Sequence, residues 1–409
     1  GFHYGVNMGG YGTSSNVNDN GAVVPWTDDE LAEIAIGNPA AGIPGTGATS
    51  IRLALPDSFV SEYGYDIRLE EFNRYNQLGL KDHTVFLNGP HEAHRDFTEY
   101  CPGKPATIFK NLHLPIWDGG ANGTPYTDEN HYAKYVYEVV SRYGKWVKYW
   151  EVWNEPDFTT SYNNKSDPGT PGSWWTEDPS PCDLGGQFGI AAPVSHYVRM
   201  LRITYEVVKS LYPESYVCTG GIGYPSFLDA VLRNTDNPNN GDVSGEYPLT
   251  GGAYFDVLSW HYYPHVDEAF KEWNNDILNF DYSRHSDGAI SEFYEREREF
   301  NAVLESRGYN GGTYPRKLQI NTETNIPRKE LLSANFAGGN QLQANYNMKV
   351  MFASQVVGVD HLHLYHIGEK YDDALPVWEP QQQWDLMGLY KNLLTQNKHT
   401  AIHTDGGIA

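Results

Sequence analysis

Two glutamates, each at a point where a buried strand should stop, are the side chains of this sequence best placed for chemistry. The first is Glu155, in the segment KYWEVWNEPD. Pro156 cannot donate to a strand ladder, so the strand should end there and leave Glu155 at its carboxyl-terminal rim. A carboxyl group packed among Trp150 and Trp153 is desolvated, which raises its pKa and suits a general acid near neutral pH. A lone glutamate at a loop start is more often structural, but the two tryptophans and the Asn-Glu-Pro stop favour the catalytic interpretation.

The second carboxylate is Glu323, in the segment LQINTETN. If side chains alternate strictly along this strand, Leu318 and Ile320 face the surrounding helices. Gln319, Asn321 and Glu323 then face the opposite side. Polar side chains on one buried face need partners, so this pattern predicts a hydrogen-bonded site rather than apolar packing.

Two carboxyl groups that face each other across a sugar-sized gap are the equipment for glycoside hydrolysis. One protonates the departing oxygen, and the other attacks the sugar or activates water. A separation of about 5 to 5.5 Å gives retention of configuration, and roughly 6.5 to 9.5 Å gives inversion. The sequence alone does not supply that distance.

These motifs resemble glycoside hydrolase clan A, the retaining β-glycosidases built on a (β/α)8 TIM barrel, over most of the chain. In that clan an Asn-Glu pair ending the fourth strand supplies the acid/base, and a glutamate ending the seventh strand is the nucleophile. The resemblance therefore implies that Glu155 is the acid/base, Glu323 is the nucleophile and Asn154 binds the sugar 2-hydroxyl. The segments WNEP, SWHYYP and TE are most similar to glycoside hydrolase family 39 and its neighbours, although the insertion after Asp157 departs from a minimal family 39 enzyme.

Further polar residues near strand ends are candidates for the same site. Ser259, His261 and Tyr263 share one axial face if the sixth strand alternates. The resemblance implies that His261 and Tyr263 contact the nucleophile or the substrate. The alternative is that they lie at the barrel rim with their polar atoms hydrogen-bonded within the protein and have no part in the reaction. Arg52 on the second strand resembles the clan's inward arginine, which keeps the nucleophile ionised, and a buried ion pair with Glu151 explains it equally well.

The last predicted strand carries His361 and His363, a spacing that could hold a metal, as in sugar isomerases built on barrels. No matching set of histidines and carboxylates is evident on the other strands, so we expect neither a metal nor a cofactor. Tyr365, two positions further on, is a candidate substrate contact. His91, in the loop after the third strand, is another, and Trp378 could provide a stacking face under a sugar or pack within the fold.

Buried strand patterns alternate with amphipathic helical patterns along the whole chain. The strand patterns lie at 2–8, 50–55, 84–88, 147–153, 216–221, 255–262, 317–322 and 359–367, and the helical ones at 66–80, 128–143, 195–211, 226–233, 290–306, 342–357 and 386–394, with a short candidate at 28–36. Eight such repeats predict an α/β fold, the (β/α)8 barrel, because no Gly-rich nucleotide loop follows the first strand to favour a doubly wound sheet. We expect the barrel to occupy 1–397, with 398–409 as a candidate start of a further β element from a truncated C-terminal β-domain.

Two connections are unusually long and leave the carboxyl ends of the third and fourth strands, where barrel active sites form. They carry Trp117, Trp174 and Trp175. We expect these tryptophans to line the mouth and to wall a groove for a polysaccharide.

The composition sets outer limits on function. The 409 residues carry 52 acidic and 29 basic side chains, a formal charge of -23, which excludes a typical nucleic-acid binder. Aromatic residues make up 14% of the chain, which suits a sugar site. Three cysteines are too few for a disulfide framework, and no apolar run is long enough for a membrane helix. We expect a soluble, secreted or periplasmic protein whose targeting segment is absent before Gly1 and whose natural chain continues beyond Ala409.

The sequence thus predicts a retaining β-glycoside hydrolase that cuts within a β-linked plant or algal polysaccharide. Three alternatives stay open: an exo-acting β-glycosidase of the β-xylosidase type with the same catalytic pair, a glycan-binding barrel without activity, and a metal-dependent sugar isomerase. The expected partner is an oligosaccharide or polysaccharide rather than nucleic acid or a membrane. The sequence does not determine the oligomeric state.

Overall fold

A closed barrel of eight parallel strands forms the centre of the protein. The computed structural model describes residues 2–7, 36–41, 46–100, 102–158, 189–264, 269, 271–282, 286–326 and 340–365. The barrel strands are β1 His3–Asn7, β2 Ser50–Ala54, β3 His83–Leu87, β4 Val147–Val152, β5 Tyr216–Thr219, β6 Val257–Tyr262, β9 Leu318–Thr324 and β10 His361–Leu364. They follow one another around the barrel in that order, and β10 pairs with β1 to close it. The predicted (β/α)8 fold and all eight predicted strands are confirmed.

Helices connect the strands and cover the barrel. They are α1 Asp57–Tyr63, α2 Leu69–Gln77, α3 His131–Tyr143, α4 Val194–Leu211, α5 Pro225–Arg233, α6 Asp287–Ser306 and α7 Asn340–Val357. Their ends follow local chemistry: the Asn130 side chain caps α3 by accepting from Ala133 N at 3.1 Å, and Pro225 opens α5, where its missing N–H costs nothing. None of the described helices is long and apolar enough to cross a membrane.

A two-stranded antiparallel hairpin, β7 Lys271–Asn274 and β8 Asn279–Tyr282, lies between β6 and α6 and was not predicted. Several predicted features fall outside the described residues. These are the helix at 28–36 except for its last residue, the helix at 386–394, the β element at 398–409, and Trp174, Trp175 and Trp378.

The hydrophobic core lies mainly between the barrel and its helices. Trp260 on β6 is fully buried there and packs against Phe293 and Phe300 of α6, with ring centroids 4.9 and 5.7 Å away. Inside the barrel, a small apolar layer combines Tyr149, Cys218, Val257 and Ile320. Polar side chains fill the barrel above this layer and lead to its mouth.

Strand β9 does not alternate as the sequence predicted. Ile320 belongs to the apolar layer inside the barrel, whereas Gln319 donates from Nε2 to Glu297 Oε1 on α6 at 3.0 Å and so faces the helices. Asn321, fully buried between the axial residues Ile320 and Thr322, also lies on the helix side. The predicted axial placement of Gln319 and Asn321 is therefore wrong.

The placement of Glu323 toward the axis is nonetheless right, because the strand is irregular. Trp260 of β6 pairs with Asn321 and the next residue, His261, pairs with Glu323, so β9 contributes one extra residue at this point. A bulge of this kind interrupts the alternation and re-aims the side chains that follow it. Thr322 and Glu323, although consecutive, therefore both reach the barrel interior.

Candidate active site

The backbone at the end of β4 is held in an uncommon conformation. Trp153 has φ 76° and Glu155 has φ 48°, backbone angles that residues other than glycine rarely adopt. Two backbone hydrogen bonds hold them, from Trp153 N to Leu87 O at 2.9 Å and from Glu155 N to Gly220 O at 2.7 Å. Such strain persists only where neighbouring strands determine it, and it is frequent at functional sites. Here it turns the Glu155 side chain toward the barrel mouth.

The two candidate catalytic glutamates lie next to each other with a histidine between them. One oxygen from each of Glu155 and Glu323 and one ring nitrogen of His261 all lie within 4.8 Å of one another. His261 Nδ1 is 2.9 Å from Glu155 Oε1 and 3.6 Å from Glu323 Oε2. The Glu155 side chain is 30% exposed, so a substrate can reach it.

Glu323 is a carboxylate held by two donors. Arg52 Nη1 donates to its Oε1 at 2.5 Å, and the Tyr263 hydroxyl donates to its Oε2 at 2.6 Å. Both oxygens are thus fixed, and the guanidinium supplies a positive charge next to them. These two contacts hold the carboxylate in one orientation, as a nucleophile requires.

Arg52 connects β4 and the segment directly after it with β9. Besides Glu323, it donates from Nε to Glu151 Oε2 at 2.6 Å, from Nη2 to Asn154 Oδ1 at 2.7 Å and from Nη1 to Asn7 Oδ1 at 2.9 Å. The side chain is 1% exposed. Arg52 therefore contacts both of the partners that the sequence left open, Glu323 and Glu151.

A second group of polar residues lies below the glutamate pair. Glu151 Oε1 accepts from Ser259 Oγ at 2.5 Å and from Thr322 Oγ1 at 2.7 Å. Thr322 Oγ1 also lies 3.0 Å from His261 Nε2. The inward placement of Ser259, His261 and Tyr263 is confirmed. Thr322 was not predicted, because the alternation was counted back from Glu323 and the bulge shifts it by one residue.

The pKa of Glu155 differs from the sequence prediction. Burial raises it, but the hydrogen bond and charge of His261 and the charge of Arg52 outweigh burial, so the pKa lies below its usual value. Burial lowers the pKa of His261, but the charge of Glu323 and the bond to Glu155 outweigh that effect and raise it. The prediction was wrong because it considered only desolvation by the neighbouring tryptophans and not the charges at the mouth. One of those tryptophans, Trp150, alternates with the axial Glu151 and therefore belongs to the core outside the barrel.

Three further residues were predicted to contact the substrate. Tyr365 packs edge-to-face on Tyr263 with ring centroids 6.2 Å apart, so it lies beside the residue that binds Glu323. His91 lies in the loop after β3, where its backbone N–H donates to Asp57 Oδ2 at 2.8 Å. Trp378 is outside the described residues.

Trp117 does not line the mouth. Its Nε1 donates to Glu206 Oε2 on α4 at 3.0 Å, and its ring packs edge-to-face on Tyr137 of α3 at 6.4 Å. The loop after β3 folds back over these two helices and carries Trp117 with it. Its predicted role in the groove is therefore wrong.

His361 and His363 face the barrel axis as predicted, but in its interior rather than at the mouth. Their rings stack 4.3 Å apart, and both Nε2 atoms lie near Ser50 Oγ, at 2.8 and 3.3 Å. Burial lowers the pKa of His361 to about 3 and that of His363 well below its usual value, so both are neutral. They form part of the barrel packing.

Within the described part of the chain, the group that approaches metal-ligand geometry is Glu155, His261 and Glu323. The sequence did not anticipate this set. Both oxygens of Glu323, however, are already bound, one by the Arg52 guanidinium and the other by the Tyr263 hydroxyl. A cation placed here would be repelled by that guanidinium at short range. The arrangement suits a nucleophile better than a metal ligand.

Two glycines after β5 allow the close approach of β4 and β6. A Cβ on Gly220 would lie 2.2 Å from Val152 O, and one on Gly221, where φ is +62°, would lie 2.0 Å from His261 Nε2. The His261 ring thus rests directly on the Gly221 backbone. Sequence reasoning missed these positions, although a Gly-Gly pair directly after a buried strand was a usable signal.

Asp157 connects the loop after β4 to the start of α5. Its Oδ2 accepts from Gly223 N and Tyr224 N, each at 2.8 Å, and the residue is 1% exposed. Burial raises its pKa to about 7, and the charge of Glu155 acts in the same direction. The residue holds the segment that carries Glu155 against the next connection of the barrel.

Comparisons with known proteins identify the fold but not a family. No family model matches the chain, and no curated protein matches it. A glucosidase from Croceicoccus marinus has a TM-score of 0.50 at 13% identity, covering 97% of this chain and 68% of that one. One of two fungal β-1,4-galactanases gives 0.48 at 14% identity over 95% and 98%, and a GH30 endoxylanase from Clostridium papyrosolvens gives 0.47 at 12% over 96% and 72%. The likeness to the glucosidase, at 13% identity, shows the barrel fold alone, and family 39 is not shown.

Proposed function

We propose that this protein is a retaining β-glycoside hydrolase in which Glu323 is the nucleophile and Glu155 the acid/base. The observation that carries the proposal is the proximity of the two glutamates, whose nearest functional atoms lie within 4.8 Å together with His261. Carboxyl groups whose oxygens approach this closely favour the retaining arrangement, in which the two groups lie about 5 to 5.5 Å apart, over the inverting one of roughly 6.5 to 9.5 Å.

In the first step, Glu323 attacks the anomeric carbon while Glu155 gives a proton to the departing oxygen. The bond from the sugar to the leaving group breaks with its electron pair on that oxygen, and a covalent bond to Glu323 forms. Arg52 and Tyr263 hold the attacking carboxylate in place, so little reorganisation is needed at the moment of reaction. In the second step, Glu155 takes a proton from water, and the water oxygen displaces Glu323.

Asn154 has a supporting role in this mechanism. Its amide oxygen accepts from Arg52 at 2.7 Å, which fixes the orientation of the side chain. The amide nitrogen is then the group that can donate to a sugar hydroxyl next to the anomeric carbon. Such a hydrogen bond strengthens in the transition state.

We further propose that the substrate is a β-linked plant or algal polysaccharide cut within its chain, outside the cytoplasm. The β7–β8 hairpin supports an extended substrate, because it follows the carboxyl end of β6, the side on which barrel active sites form. It carries Trp273, Ile277 and Leu278, which are 53%, 57% and 74% exposed. An exposed indole provides a flat apolar face of the kind that sugars pack against. The proposed reaction needs no metal or organic cofactor.

The test is a panel of β-linked plant and algal polysaccharides, with the products resolved by chain length and the first-formed anomer followed by NMR. We expect the β-anomer first, a mixture of internal fragments, and full activity in the presence of a chelator. Release of single terminal sugars would favour the exo-acting alternative. An α-anomer formed first, or activity that collapses with chelator, would contradict the proposed mechanism.

A further inference from the structure

A continuous chain of hydrogen bonds connects the barrel interior to the acid/base at the mouth. Thr322 Oγ1 lies 2.7 Å from Glu151 Oε1 and 3.0 Å from His261 Nε2. His261 Nδ1 in turn lies 2.9 Å from Glu155 Oε1. The inner three residues are buried, with Glu151 and Thr322 fully enclosed and His261 3% exposed. Solvent therefore does not supply the protons at these contacts, and they can be assigned by counting donors.

The count begins at Glu151, whose carboxylate receives three donors: Arg52 Nε, Ser259 Oγ and Thr322 Oγ1. Thr322 Oγ1 also lies 2.8 Å from Ser259 Oγ, so the three short contacts among Glu151 Oε1, Ser259 Oγ and Thr322 Oγ1 share the two hydroxyl hydrogens of Ser259 and Thr322. If Thr322 pointed its single hydrogen at His261, two of these three contacts would hold no hydrogen and their bare oxygens would repel, so that hydrogen stays within this group. Thr322 is therefore an acceptor toward His261. It follows that His261 Nε2 carries a hydrogen and that Nδ1 is directed at Glu155.

We propose that Glu155 and His261 hold between them the proton that is delivered to the leaving oxygen, and that Thr322, oriented by Glu151, is the positioning residue that fixes His261 for this role. The inference rests on the proposed hydrolase function. It assigns His261 to the acid/base rather than to the substrate.

The proton transfer balances in both steps. In the first, the proton shared by His261 Nδ1 and Glu155 Oε1 passes to Glu155, whose carboxyl turns it toward the glycosidic oxygen; the sugar–oxygen bond breaks with its electrons on that oxygen. His261 then keeps only its Nε2 hydrogen. In the second, water loses a proton to the Glu155–His261 pair while its oxygen displaces Glu323, and the shared hydrogen bond is restored.

The charges around His261 favour keeping this proton. The carboxylates of Glu155 and Glu323 lie 2.9 and 3.6 Å from Nδ1 and favour the protonated ring. The positive charge of Arg52 disfavours it. Thr322 lies between the ring and Glu151. Among the residues that the structure describes, two further titratable groups act on this pair: Tyr263, which binds Glu323, and Asp157, whose charge acts on Glu155. When the proton leaves, the Nδ1 lone pair faces two carboxylates. The alternative tautomer is disfavoured too, because its Nε2 lone pair would face the Thr322 oxygen. The pair should therefore retain its proton to a higher pH than an isolated carboxyl group.

The matched variants are Thr322→Val, which keeps the shape but removes the oxygen, and Thr322→Ser, which keeps the hydroxyl. In Thr322→Val the neutral His261 tautomer with a bare Nε2 is no longer disfavoured, because no oxygen faces that nitrogen. The charged imidazole also loses the acceptor for its Nε2 hydrogen. The Glu155–His261 pair should therefore lose its proton more easily. We expect the alkaline limb of the kcat/KM profile to move down by about one pH unit. We also expect a drop of about tenfold on substrates with poor leaving groups and little change on activated ones. Thr322→Ser should behave as the wild type.

An activity-independent measurement uses the full chain with 15N-labelled histidine. NMR should find Nε2 of His261 protonated throughout the titration, with Nδ1 alone titrating, and Glu155→Gln should lower the midpoint of that titration. A bare Nε2 in neutral His261 overturns the inference, and so does a Thr322→Val profile equal to the wild type or a Thr322→Ser variant as impaired as Thr322→Val. If no glycan is cleaved, the proposed function fails, while the NMR result still decides the tautomer.

Discussion

Arg52 Nη1 donates to Glu323 Oε1 at 2.5 Å, although the two residues are 271 positions apart in the chain. The same guanidinium binds Glu151 inside the barrel and Asn154 at its rim. One buried cation therefore fixes the proposed nucleophile, orients the neighbour of the proposed acid/base and connects β2, β4 and β9. Its position makes the stability of the barrel and the geometry of the site depend on the same contacts.

Replacing Glu155 with alanine should separate substrates by their leaving groups. Substrates with poor leaving groups need the proton, so we expect kcat to fall by about 10²- to 10⁴-fold on them and much less on activated aryl glycosides. Azide should occupy the space left by the carboxyl group, restore turnover and give a β-configured glycosyl azide. Product NMR identifies that adduct, and full activity of the variant on ordinary glycosides would exclude Glu155 as the acid/base.

Replacing Glu323 with alanine should abolish nearly all turnover, whatever the leaving group, because no covalent intermediate can form. Azide should now attack from the face that Glu323 occupied and give the α-configured product. In the wild type, a 2-fluoro glycoside inactivator should label Glu323, which peptide mass spectrometry can locate. Labelling of a different residue would contradict the assignment.

Glu151→Gln should destabilise the fold because it removes one partner of a buried ion pair and leaves Arg52 with less compensation. We expect the free energy of unfolding in denaturant to fall by about 3 to 5 kcal/mol. The matched control is Glu305→Gln, since Glu305 pairs with Arg316 at 3.2 Å but both side chains are exposed. That change should cost less than about 1 kcal/mol. Equal stabilities of the two variants would show that the buried pair does not act as described.

Gly221→Ala should disturb the position of His261. The added Cβ would lie 2.0 Å from Nε2, so the ring has to move away from Thr322 and Glu155. We expect kcat/KM to fall by about tenfold or more, as for loss of an oriented acid/base. Gly103→Ala is the control, because Gly103 also has a positive φ, +74°, but no atom within 4 Å of a Cβ. It should cost about 1 kcal/mol of stability and leave activity unchanged. Similar kinetics for both variants would argue against the contact.

Asp157→Asn should change how stability depends on pH. Burial raises the pKa of Asp157 from 3.8 to about 7 in the folded protein. Between those values the folded state binds more protons than the unfolded state, so this residue's contribution to the free energy of unfolding decreases as pH rises from about 4 to 7. The stability of the wild type relative to Asp157→Asn should therefore fall across this interval. Denaturant unfolding at several pH values measures it, and a constant difference would show that Asp157 titrates normally.

The barrel and the positions of the two glutamates could be read from local patterns. Apolar runs of strand length, repeated eight times with amphipathic segments between them, predict the fold because each depends only on neighbours in the chain. The Asn-Glu-Pro stop likewise places Glu155 at a strand end, since proline interrupts the ladder wherever it occurs. The expectation that the protein does not bind nucleic acid rests on net charge and needs no structure either.

The tertiary structure decided how these residues act on one another. The bulge in β9 shifted the alternation by one residue between Asn321 and Glu323, so the pattern counted from Glu323 gave the wrong faces for Gln319, Asn321 and Thr322. Such a shift depends on pairing with the neighbouring strands and is not visible in the sequence. His261 lowered the pKa of Glu155, which the sequence expected to be raised, because the hydrogen bond and charges at the mouth outweigh burial. Distances, partners and local charge join residues far apart in the chain, so the sequence by itself determined which groups could react, and the folding of the barrel determined their separation and protonation.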